Sequence, residues 1–66
     1  MSSTVAIFEF NDREETEKVL HKIKDSIKSR AIYMQGLDKI EITDDCSNED
    51  IQEAIKICRR EGGNEK

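Results

Sequence analysis

Apolar positions recur along this chain with two different periods. Between Asn11 and Ser29, the residues Thr16, Val19, Leu20, Ile23 and Ile27 follow the i, i+3, i+4, i+7 spacing of a single helix face. Glu14, Glu15, Glu17, Lys18, Lys22, Lys24 and Lys28 fill the positions between them, so the pattern predicts one long amphipathic helix. Asn11 is a suitable N-cap, with Glu14 at capping-box distance. Thr4 to Phe10 has the other period, with Thr4, Ala6, Phe8 and Phe10 on one side of a strand and Val5, Ile7 and Glu9 on the other. Ala31 to Gln35 and Lys39 to Thr43 read as two more strands, joined by a tight hairpin at Gly36-Leu37-Asp38. In the last strand Ile40 and Ile42 point in, and Lys39, Glu41 and Thr43 point out. Ser47 starts a second helix with Asp50 at capping-box distance, Ile51, Ala54, Ile55 and Cys58 as its apolar stripe, and Gly62-Gly63 at its end.

The predicted order is strand, helix, strand, strand, helix. An amphipathic helix needs a surface on which to bury its apolar face. The expected fold is therefore α+β, a three-stranded, mostly antiparallel sheet with both helices on one face. The chain reads as one domain over 1–66, with an ordered body over about 4–61 and a frayed tail over 62–66. Strand order is open, because a helical crossover lets the first strand lie beside either of the other two.

Size and charge narrow the function. A chain of 66 residues has a thin stability margin, and pairing with a partner is a common remedy. The net charge of −4 gives no overall basic balance for nucleic acid. No apolar run is long enough to span a membrane, and Met1-Ser2-Ser3 lacks the features of a secretory leader, so the expected location is cytoplasmic.

Little in the chain suggests catalysis. His21 falls on the charged side of the long helix, away from both cysteines. Cys46 and Cys58 have no zinc spacing; Cys58 reads as a buried thiol and Cys46 as a loop residue. Asp44-Asp45 read as a turn that complements the following helix dipole. No phosphate-binding glycine motif occurs. The expectation is a non-enzyme without metal or cofactor. Two basic groups stand out: Lys24, Lys28 and Arg30 after the first helix, and Lys56, Arg59 and Arg60 at the end of the second. They read either as ordinary helix-end charges or as modest phosphate contacts.

The run Phe8-Glu9-Phe10-Asn11, the acidic Glu14, Glu15 and Glu17 with Val19, then Ser29-Arg30-Ala31, then Lys39 to Asp45, then Ile51, Ala54 and Ile55 form a series. In order and spacing it is similar to the small dimerisation subunit of the KEOPS complex. The resemblance spans Thr4 to Arg59. It implies the same three-strand, two-helix fold and a non-catalytic role. That role is to dimerise through the sheet and support threonylcarbamoylation of adenosine in certain tRNAs, docked on the catalytic subunit. The family's Ser-Arg at the second strand falls on Ser29-Arg30, and its helix arginine on Arg59. The chain departs from the family in its short hairpin and its acidic balance. An accessory paralogue that pairs with the main dimerisation subunit fits both departures.

The interaction expectation also rests on the first strand. Val5 and Ile7 are apolar on the face away from the phenylalanines, and read either as scattered surface residues or as a covered face. Val5, Ile7 and Tyr33 are the expected partner contacts, with itself or a related small subunit. Lys28, Arg30, Arg59 and Arg60 are candidate contacts to tRNA or to a partner. If the first strand lies at an edge, Glu9 alone protects it. The alternative function is a free-standing RNA-binding or regulatory module on a similar α+β scaffold.

Overall fold

Thr4–Glu9 forms the first strand (β1) in a computed structural model that describes residues 3–66. It is followed by a helix at Arg13–Ser26 (α1), strands at Ile32–Gln35 (β2) and Lys39–Thr43 (β3), a helix at Asn48–Arg60 (α2) and a short strand at Asn64–Glu65 (β4). Met1 and Ser2, on which the absence of a leader was partly read, lie outside the described residues.

The α+β class and the two helices match the sequence pattern, but the sheet has four strands in the order β2-β3-β1-β4. Each pairing is antiparallel. The expected frayed tail instead pairs with β1: Phe8 lies opposite Glu65 and Glu9 opposite Asn64. The Lys66 N–H also donates to the Ile7 carbonyl at 2.8 Å. β1 is thus flanked by β3 on one side and, at Phe8 and Glu9, by β4 on the other. The uninterrupted outer edge belongs to β2.

Polar Asn64 and Glu65 gave no strand signal because their pairing uses backbone rather than side chains. The close approach that allows it runs through Gly63. A β-carbon there would sit 2.8 Å from the Phe10 ring and 3.0 Å from the Cys58 carbonyl oxygen. Gly36 takes φ 70° in the β2–β3 hairpin, a conformation glycine adopts without steric cost.

One layer of side chains fills the space between sheet and helices. Phe8, Ile40 and Ile42 from the sheet meet Val19 and Ile23 from α1 and Ile51, Ala54, Ile57 and Cys58 from α2. Thr16 is wholly buried, its hydroxyl donating to the Asp12 carbonyl at 2.7 Å. Leu20 and Ile55 are only half-buried at the margin, and Ile57, outside the expected stripe, is buried in the core.

The first helix is shorter than its periodicity predicts. Its N-cap is Asp12, not Asn11: the Asp12 carboxylate accepts from the Glu15 N–H at 2.8 Å. Asn11 instead donates from its side-chain amide to Glu15. At the other end Ile27 leaves the helix with extended backbone, yet its side chain stays in the core. An apolar residue can therefore keep the helical spacing after the helix has ended. Ser47 caps α2 as expected, accepting from the Asp50 N–H at 3.2 Å.

Candidate interaction face of the sheet

Both helices cover the same side of the sheet, and among the described residues no layer lies over the other side. Strand register places Tyr33, Glu41 and Ile7 in one row across that open side. Gln35, Lys39, Glu9 and Asn64 form the next row. A bulge at Val5 separates the pairings of Thr4 with Thr43 and Ala6 with Ile42. The extra residue carries Thr4 off the core side, where simple alternation put it, and its hydroxyl donates to Glu41.

Glu41 sits at the centre of this face. It was expected to point outward into water; it does point away from the helices, but only 7% of it is exposed. Side chains from both neighbouring strands enclose it. One carboxylate oxygen accepts from Thr4 and the other from the Gln35 amide at 2.8 Å. Two charge-assisted bonds offset part of the cost of removing a carboxylate from water. Partial burial first, and then the adjacent Glu41 carboxylate, raise the Tyr33 phenol above its ordinary value.

Apolar surface surrounds this carboxylate. Val5 and Tyr33 are each 43% exposed, and Ile7 is half-buried. The three expected contact residues therefore share one face, with Ile7 and Tyr33 on opposite sides of Glu41. Along the second row, Glu9 lies between Lys66 at 2.8 Å and Lys39 at 3.5 Å. Lys66 is the first cause holding the Glu9 carboxyl below its usual range, with Lys39 adding to it. Lys39 also pairs with Asp38 at 3.1 Å, which raises its ammonium above the ordinary value, with help from Glu9.

The basic candidates lie elsewhere and do not form one patch. Lys28 and Arg30 are exposed beside Ala31, whose carbonyl accepts from Thr43 at the end of β3. Neither makes an ion pair among the described residues. Arg59 and Arg60 lie near the opposite end of the sheet, where the Phe10 N–H donates to Asp38 and Gly63 meets the Phe10 ring. Arg59 pairs with Glu65 at 3.0 Å and Arg60 with Glu61 at 3.8 Å. His21 is exposed on α1. Among the described residues, no three His, Cys, Asp or Glu side chains are grouped to hold a metal ion. No helix among the described residues is long and apolar enough to cross a membrane.

Sequence reasoning singled out Val5, Ile7 and Tyr33, which lie on one face, and did not single out Glu41 or its two donors, Thr4 and Gln35. The available signal was register: a hairpin centred on Gly36-Leu37-Asp38 sets Tyr33 opposite Glu41. Comparison with protein-family models, with curated proteins and with solved structures returns no match for this chain.

Proposed function

We propose that this chain is a non-catalytic interaction subunit resembling the small dimerisation subunit of the KEOPS complex, acting by pairing through the open face of its sheet. The observation that carries the reading is exposed Val5 and Tyr33 beside half-buried Ile7, on a face that no other element covers among the described residues. Burying such a patch removes apolar surface from water, and a polar rim of Lys39, Glu9 and Gln35 suits the edge of an interface. The partner is a second small subunit, of the same or a related chain, and the catalytic KEOPS subunit is engaged directly or through it. Contact with tRNA, if made, would use Lys28, Arg30, Arg59 or Arg60; the first two are the better placed, being free of ion pairs.

The test is co-purification of tagged wild type and Ile7→Lys from the native cell, with threonylcarbamoyladenosine measured in bulk tRNA. Wild type should bring down KEOPS subunits, and the variant should lose them and lower the modified nucleoside. Wild type without those subunits, or a variant that retains them, would overturn the reading. Exposed Lys28 and Arg30 favour a second reading, an RNA-binding module, which requires the isolated chain to bind RNA at low salt and release it as salt rises.

A further inference from the structure

The row Tyr33–Glu41–Ile7 has a consequence for which partner the open face accepts. Suppose a second copy docked face to face about a two-fold axis, with Ile7 of each chain against Tyr33 of the other. Glu41 lies between those two residues in the register, so the axis would pass through it. Two carboxylates, each under its Thr4 and Gln35 cover, would then be held near each other at the centre of an interface emptied of water.

Among the described residues no unmatched cation stands beside that charge. β2 places Tyr33 and Gln35 on this face, and β1 places Thr4, Val5, Ile7 and Glu9 there. The two amines nearby, Lys39 and Lys66, are matched by Glu9 and Asp38. Both Glu41 oxygens already accept neutral donors, which satisfy their hydrogen bonding but not their charge.

We propose that the open sheet face rejects a second copy of this chain and takes a different protein. That protein presents a lysine or arginine within an apolar surface, set over the Thr4 and Gln35 side chains that close on Glu41. This inference rests on the pairing role proposed above and selects the hetero-pairing within it. Like-charge juxtaposition at a buried contact is a strong device for excluding a wrong partner.

Sedimentation equilibrium tests it with the chain itself as probe. Wild type should be monomeric. Glu41→Gln, which keeps the shape and hydrogen-bonding capacity, should self-associate roughly tenfold or more tightly than wild type. An equimolar mixture of wild type and Glu41→Lys should form a mixed dimer that neither forms alone. Ile7→Lys placed in the Glu41→Gln background should abolish the association. Circular dichroism checks that each variant folds; should Glu41→Lys not fold, the Glu41→Gln comparison decides alone. If wild type self-associates as tightly as Glu41→Gln and Ile7→Lys dissolves both, charge selection is overturned while the pairing face stands. If Glu41→Gln does not associate, the carboxylate is not what excludes a second copy, and the proposal is equally overturned. Failure of the pairing role itself would appear separately, as loss of the co-purifying subunits.

Discussion

Cys58 has no exposed surface, and burial pushes its thiol from an ordinary 9.0 up to about 12. In the unfolded chain the same thiol ionises near its ordinary value, so the folded state binds the proton more tightly. Stability from this group is fully present below about pH 9 and is lost as the pH rises toward about 12. Unfolding free energy measured across that range should fall more steeply in wild type than in Cys58→Ala. Alkylation should label half-buried Cys46 first and reach Cys58 only on unfolding. The buried thiol was legible in the sequence, because a helix stripe places Cys58 beside Ile51 and Ala54. Glu41 was not: alternation says which side a residue faces, and it cannot say that Thr4, Gln35 and Tyr33 close over it. Only a bulge and a register, both set by pairing between distant segments, bring those side chains together.

Helix α1 begins where two good capping residues stand side by side. Asn11 and Asp12 both satisfy the local preference, and the periodicity of the helix cannot separate them. The fold selects Asp12, whose carboxylate reaches the Glu15 N–H while its own carbonyl accepts the Thr16 N–H at 3.1 Å. Asp12→Ala should therefore cost about 0.5–2 kcal/mol in denaturant unfolding. Asn11→Ala should change little, because only an exposed side-chain contact is lost. Equal losses at the two positions would contradict this cap. The helix ends at Ser26, three residues earlier than the apolar and charged pattern suggests. Ile27 continues the spacing, so the pattern marks where a residue is buried and not whether its backbone is helical. Strand β4 is the converse case: the backbone is ordered into the sheet while the sequence, polar and charged after two glycines, has the composition of a tail.

Across the whole molecule, the class and the layering followed from amphipathicity, since two one-sided helices and three strands have few ways to bury their apolar sides. The strand order did not, because it depends on backbone pairing that leaves no mark in composition. Residues 64–66 are tied to β1 through backbone bonds and the Lys66–Glu9 pair, and to α2 through the Arg59–Glu65 pair. Deleting residues 64–66 should lower stability by about 1–3 kcal/mol, roughly the worth of two or three exposed backbone hydrogen bonds. The thermal midpoint of the truncated chain measures it, and an unchanged midpoint would place β4 outside the folded unit. This strand also sets a schedule. During synthesis β1 emerges first, and it must wait for β3 and then for residues 64–66 before both of its sides are engaged. Val5, Ile7 and Phe8 thus lack their sheet neighbours until β3 and residues 64–66 have been made. In that interval β1 is an unpaired strand open to pairing with another chain, so completing the sheet also closes a route to aggregation.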